Sequence, residues 1–280
     1  MSVDENLLTR ARPWRPAPVV WLSALVHAAA LVMVLARPDF WLWALGCVAG
    51  NHLLLGAAVL WPRGKLLGPN ITKLPAAAAA RNEVSLNFDD GPDPEVTPQV
   101  LDMLDRYDAR ASFFCIGSKA AQFPVLVKEI VHRGHSVENH TQRHSHAFAF
   151  FGPQGLDREV GASQRTLTEL AGRPPAFFRA PAGFRSPFLD RVMAAFGLHY
   201  VSWTRRGFDT VSGDARGVLT RLTRGLAAGD ILLMHDGGPA RDRDGDPVVI
   251  AVLPRLLEAL AARGLKPVTL AEAFRDERRV

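Results

Sequence analysis

From Val84 onward the chain alternates short β-type runs with helix-type stretches, and this alternation narrows the fold more than any other feature. The β-type runs are VSLNF (84–88), ASFFCI (111–116), HSVEN (135–139), AFFRA (176–180), HYVSW (199–203), DILLMH (230–235) and KPVTL (266–270). Helix-type stretches lie between them. Residues 124–132 stop at Gly134, 157–170 at Gly172, 187–196 at Gly197 and 218–227 at Gly229. Glycine takes the left-handed conformation that ends a helix at little cost. Strands alternating with helices form a parallel sheet with the helices packed outside it. The expected fold is α/β, a distorted (β/α) barrel of about seven parallel strands.

Chemistry in such folds collects at the carboxyl ends of the strands. The unusual polar residues of this chain fall there. Asp89 and Asp90 follow the first run, His140 and His144 the third. Arg179 ends the fourth, Asp209 follows the fifth and His235 ends the sixth. Far apart in sequence, they are expected to meet at one rim.

Two of these groups suggest a metal ion. His140 and His144, in HTQRH, are spaced so that one helical turn would put both imidazoles on one face. Neighbouring histidines have duller readings: His132 on a helix face, His135 structural, His146 uncommitted. Two carboxylates held side by side repel when both are ionised. An ion bound by Asp90 removes that cost and leaves Asp89 free as a base. An acidic β-turn built on NFDDGPDP is the plainer alternative.

NFDDGP, ENHTQRH, FFRAPAG, SWTRRGFD and ILLMHD occur in that order at suitable spacing. Together they resemble the five motifs of the polysaccharide deacetylase family, the NodB-homology domain or carbohydrate esterase family four, over roughly 82–274. The resemblance implies a metal-dependent hydrolase that removes N-acetyl groups from amino sugars. By motif position, Asp90, His140 and His144 would ligate one divalent ion, Zn2+ in most members. Asp89 would be the general base, oriented by Arg179. His235 would be the general acid, its pKa held up by Asp209. The ion and a backbone N–H near Ala182 would receive the oxyanion.

The chain also departs from the family pattern. Asn87 stands where Thr is usual, and Ala182 replaces an aromatic residue. The fourth motif, usually D-x-x-D-W, reads Arg206-Gly207-Phe208-Asp209-Thr210. Its first Asp and its Trp are missing. Leu233 matches the Leu that helps wall the acyl pocket. The departures fall on substrate-facing positions, so the acyl group and the sugar are open.

Ahead of this domain lie two apolar runs, 17–36 and 40–61, each about the length that spans a bilayer. Arg37-Pro38-Asp39 breaks them, and Trp21, Trp41, Trp43 and Trp61 sit near their ends, where amphipathic rings favour the interface. A transmembrane helical hairpin is expected, with a cleaved signal peptide as the alternative. Residues 1–16 then form a cytoplasmic tail, 62–81 a juxtamembrane linker and 82–280 the catalytic domain. His27, Asn51 and His52 lie near the span centres, positioned for a hydrogen bond between the helices, with a polar contact to a substrate head group or a partner as the alternative.

Residues 1–81 carry eight Lys/Arg against three Asp/Glu, and 82–280 carry 25 of each. The catalytic domain is therefore neutral and lacks the basic footprint of a nucleic-acid binder. Arg10, Arg12 and Arg15 precede the hairpin, Arg37 lies within it, and Arg63, Lys65 and Lys73 follow. This excess outside the loop places both ends in the cytoplasm, at a bacterial inner membrane. A polyprenyl-phosphate-linked N-acyl amino sugar on the inner leaflet suits a tethered cytoplasmic domain. A periplasmic polysaccharide or peptidoglycan deacetylase is the alternative, and an inactive glycan-binding barrel a third. Neither sequence pattern nor composition speaks to oligomeric state. Cys47 and Cys115 each lie in apolar runs and suggest no disulfide.

Overall fold

The computed structural model describes residues 13–276; Arg10, Arg12 and the start of the expected tail lie outside the described residues. The first element is a pair of 19-residue helices, α1 (Pro18–Ala36) and α2 (Trp41–Val59). The Arg37-Pro38-Asp39 break separates them, because Pro38 supplies no amide proton to continue α1. Both are long and apolar enough to cross a membrane. The four tryptophans near their ends are exposed. Polar contacts join the helices: Asn51 donates to Ser23 Oγ at 2.9 Å, and His27 Nε2 lies 3.3 Å from His52 Nε2.

The remaining elements are, in order, α3 (Ala76–Ala80), β1 (Glu83–Asp89), α4 (Thr97–Arg106), β2 (Ala111–Cys115), α5 (Gly117–Gln122) and α6 (Pro124–His132). There follow β3 (Ser136–Asn139), α7 (Pro153–Ala171), β4 (Phe177–Phe178), α8 (Leu189–Phe196), β5 (His199–Tyr200) and β6 (Arg205–Arg206). The chain ends with α9 (Ala215–Thr223), β7 (Ile231–His235), α10 (Val248–Ala261), β8 (Lys266–Pro267) and α11 (Leu270–Ala273).

The strands form a parallel sheet in the order β5-β4-β3-β2-β1-β7-β6, with β8 paired to the entry end of β1. Each expected β run contributes a strand. The eighth, β6, comes from the SWTRRGFD segment and returns beside β7. The barrel is thus incomplete, its two edges being β5 and β6.

Strand periodicity explains the layers. Along β1, Val84, Leu86 and Phe88 point outward into a core shared with α4, α9 and α10. Ser85, Asn87 and Asp89 alternate with them and share the opposite, inward face. Neighbouring strands add Ser112, Phe114, Ser136 and Glu138, all buried. The inward face thus mixes polar groups with an apolar cluster that includes Phe114, Ile231 and Leu233, and its polar groups must be hydrogen-bonded to be stable. Ser136 bonds Ser112 at 2.8 Å, and Glu138 accepts the Ala176 and Phe177 amides at 3.0 and 2.9 Å.

Residues 62–81 do more than connect. Ile71 pairs in parallel with Val201, its amide donating to the Tyr200 carbonyl. Thr204 Oγ1 donates to the Thr72 carbonyl at 2.8 Å, and the Leu74 amide donates to Gly229. Leu74 and Ala78 are buried against Phe177 and Ile231. This segment lies across the opening between β5 and the β6–β7 edge.

One helix end differs from expectation. α9 begins at an Asp214 cap and stops at Thr223, so Gly229 does not terminate it. Gly229, at φ +84°, instead turns the chain into β7 and donates to the Glu83 carbonyl.

Candidate active site

The register of β1 and β7 sets the site. Asp89 and His235 are Cα partners across these strands, and both end their strands at the same rim. Asp89 is buried and takes a 2.6 Å ion pair from Arg179 Nη1. Arg179 is itself fully buried. Its Cζ sits 4.0 Å from the Phe114 ring centroid, and Nη2 donates to Asn87 Oδ1 at 2.6 Å and to the Ser202 carbonyl at 2.9 Å. Nε donates to the Val201 carbonyl at 3.2 Å. Asn87 in turn donates to Ser85 Oγ at 2.9 Å. The inward polar face of β1 is therefore the seat of this guanidinium.

Across the rim, His235 is oriented from behind. Its Nδ1 donates to Asp209 Oδ1 at 2.9 Å, and its backbone amide donates to Oδ2 at 2.7 Å. Burial alone would lower the His235 pKa, but the Asp209 hydrogen bond and charge, with Asp89 and Asp90 nearby, raise it. Nε2 is left as the functional nitrogen of the ring.

Asp90, His140 and His144 come together as expected. His140 Nε2 lies 3.1 Å and His144 Nε2 3.0 Å from Asp90 Oδ1. That oxygen is buried and accepts no hydrogen bond. The three donor atoms thus converge on one point without bonding one another, the arrangement a cation requires. His140 Nδ1 donates to the Arg179 carbonyl at 2.8 Å, which fixes the tautomer and turns Nε2 toward the ligand position. Two histidines and one carboxylate with open positions suit a catalytic divalent ion. Burial alone would raise the Asp90 pKa, but the two imidazoles hold it well below the usual carboxylate range.

The two histidines do not share a helical turn. Residues 140–146 form a loop, and Thr141 and His144 take φ of +66° and +52°. Thr141 Oγ1 accepts the His144 amide at 3.0 Å, and Asn139 Oδ1 accepts the Thr141 amide at 3.0 Å. These short side chains hold a backbone that propensity disfavours, as ligand sites often require. His135 is structural, its Nδ1 accepting the Ala111 amide, and His132 is exposed on α6.

Asp89, Asp90, His140, His144 and His235 line a cavity of about 710 Å³. Ala182, at φ +53°, and Leu233 line it too. Arg179 and Asp209 stand behind its wall. Trp203, Lys119 and Arg206 also face the cavity, beyond the site residues the motifs point to. The inward parity of β1 was a usable signal for Asn87. The charge reversal in the fourth motif was one for Arg206.

The polysaccharide deacetylase family profile matches residues 76–201. A peptidoglycan-N-acetylglucosamine deacetylase of Bacillus cereus is 31% identical over 194 residues, covering 69% of this chain and 88% of the relative. A chitooligosaccharide deacetylase of Azorhizobium caulinodans is 32% identical over 198 residues, covering 68% and 94%. A family 4 acetyl xylan esterase from Clostridium thermocellum, solved with a cobalt ion, superposes with a TM-score of 0.62 at 28% identity, covering 70% and 91%. The chain belongs to the polysaccharide deacetylase family. It is an enzyme of the carbohydrate deacetylase class, in which metal dependence is typical.

Proposed function

We propose that this enzyme removes a small N-acyl group, acetyl or formyl, from a lipid-linked amino sugar at the inner face of a bacterial membrane, with α1 and α2 as a spanning hairpin. The observation that carries the chemistry is the opposed pair at the rim, Asp89 on its arginine and His235 on its aspartate. Asp90, His140 and His144 would hold one divalent ion, most simply Zn2+. That ion, when bound, polarises the acyl carbonyl and acidifies water.

The chain's own residues supply the rest. Arg179 holds Asp89 aimed into the cavity, where it takes the proton of the attacking water. His235 delivers a proton to the departing amine, which otherwise leaves poorly. Asp209 stabilises the imidazolium until transfer. Ala182 places backbone beside the developing oxyanion, and Leu233 contributes an apolar wall for the acyl group.

The membrane part of the proposal rests on how the hairpin meets the site. The Arg185 amide donates to the Val59 carbonyl, the last residue of α2. Arg185 is buried, stacks on Tyr200 at 4.2 Å and donates to the Leu67 and Gly68 carbonyls. Gly183, at φ +78°, faces Pro62 and Trp203 so closely that a Cβ there would lie 2.7 Å from each. Gly183 and Trp203 line the cavity, so its wall rests against the exit of α2. A headgroup held by its lipid at the bilayer would need little travel to enter.

The Bacillus relative is named for peptidoglycan and the Azorhizobium relative for chitooligosaccharide, and these names support a second reading, a glycan without a lipid link met in the periplasm. Reporter fusions after Lys73 separate the two, a cytoplasmic signal being expected. Lipid extracts of cells lacking the protein should accumulate an N-acylated glycolipid. Unchanged lipids with fully acetylated cell-wall glycan would favour the second reading.

A further inference from the structure

Arg206 sits where the family pattern has an aspartate, so the charge at this position of the cavity wall is reversed. It belongs to β6 and pairs with Leu233 of β7, two residues before His235. Its Cζ lies 5.3 Å from the Trp203 ring centroid and 5.0 Å from that of Phe208. The two rings position the guanidinium against the cavity. Its Nε is buried without a hydrogen-bond partner, and among the described residues no carboxylate pairs with the side chain.

The other cations lining the cavity are engaged. Lys119 Nζ donates to the Asp90 carbonyl at 2.8 Å, and Arg143 Nε to Glu159 Oε1 at 2.7 Å. Arg206 is a half-buried cation stacked on two rings but, among the described residues, without a carboxylate partner or an acceptor for Nε, and a ligand's oxygens would complete it. Its planar fork matches the oxygens of a phosphate.

Position adds direction. Strand spacing puts the Arg206 Cα roughly 8 Å from that of His235, one strand across and two residues back. A sugar whose acylamino group sits between Asp89 and His235 would bring a neighbouring substituent to Arg206. Trp203, under the guanidinium, is also the ring against Gly183 and hence beside Pro62 at the exit of α2. We infer that Arg206 is a specificity residue that binds the phosphate joining the amino sugar to its lipid. This rests on the lipid-linked reading above.

The test uses the full-length, metal-loaded protein in detergent, with wild type, R206M and R206K. The substrates are farnesyl-phosphate-linked N-acetylglucosamine, N-acetylglucosamine 1-phosphate, an N-acetylmuramic-acid disaccharide and chitotriose. Loss of one charge-assisted contact should lower kcat/KM of R206M on both phosphate substrates by about ten- to a hundredfold, mainly through KM. That loss should exceed the loss on chitotriose at least tenfold, and R206K should recover part of it. Independently of turnover, farnesyl phosphate should bind R206M at least tenfold more weakly than wild type, while both keep one ion per chain. Equal affinity, equal losses on all substrates, or a selective loss on the muramic carboxylate would each overturn the assignment. Wild-type turnover of chitotriose with none on either phosphate substrate would remove the lipid-linked reading and Arg206's role with it. Good turnover of the phosphate substrates with R206M unaffected would remove only the role.

Discussion

Asp89 and His235 face each other in register across β1 and β7, each bonded from behind by a partner of opposite charge. Arg179 holds Asp89 at 2.6 Å, and Asp209 holds His235 at 2.9 Å. A base oriented by Arg179 and an acid whose proton Asp209 helps retain can therefore stand on either side of one scissile bond.

Replacing the base should separate chemistry from binding. Asp89→Asn is expected to lower kcat by about 10²- to 10⁴-fold, the usual worth of a positioned base. Metal content should stay at one ion per chain, because Asp89 Oδ2 is 3.9 Å from His140 Nε2 and outside the ligand set. Loss of the ion on this substitution would make Asp89 a ligand.

The metal set makes the opposite prediction. Asp90→Ala and His140→Ala should each abolish stoichiometric binding and activity together, and chelation should do the same to the wild type. Elemental analysis of purified protein checks this, and full retention of metal by Asp90→Ala would refute the site.

The pH profile carries the sign of the Asp209 contact. His235 must be protonated to act, so kcat should fall as pH rises through its raised pKa. Asp209→Asn removes the charge that raises it, so the alkaline limb should move to lower pH. An unmoved limb would assign it to another group.

Stability should depend on Glu138, whose pKa burial pushes up to about 7 despite the Phe177 amide it accepts. A carboxyl raised in the folded state favours folding most below its ordinary value and loses that contribution as pH rises through about 7. The slope is up to about 1.4 kcal/mol per pH unit from this one group. Glu138→Gln should flatten the fall in Tm between mildly acidic and neutral pH, and an unchanged slope would contradict the account.

Much of this was readable from the chain. Seven runs gave strands because strand ends, glycines and apolar faces repeat at short range. The rim residues could be placed because parallel strands all point one way. The H-x-x-x-H spacing misled, since Asn139 and Thr141 hold His140 and His144 on a left-handed loop that sequence periodicity does not encode. β6 was missed because two residues paired only to β7 leave no periodic trace. The docking of 62–81 depends on Ile71 meeting Val201 across 130 positions, a contact no local pattern specifies. Asn87 stood out as a departure, but its partner, Arg179, became visible only when β1 and β4 were folded together.

The most direct test of the central claim is acyl release from farnesyl-phosphate-linked N-acetyl- and N-formylglucosamine by the full-length, zinc-loaded protein. Stoichiometric acetate or formate from wild type, and none from Asp89→Asn with its ion retained, is the result expected. No release from either substrate, alongside deacetylation of peptidoglycan fragments by the same preparation, would contradict it.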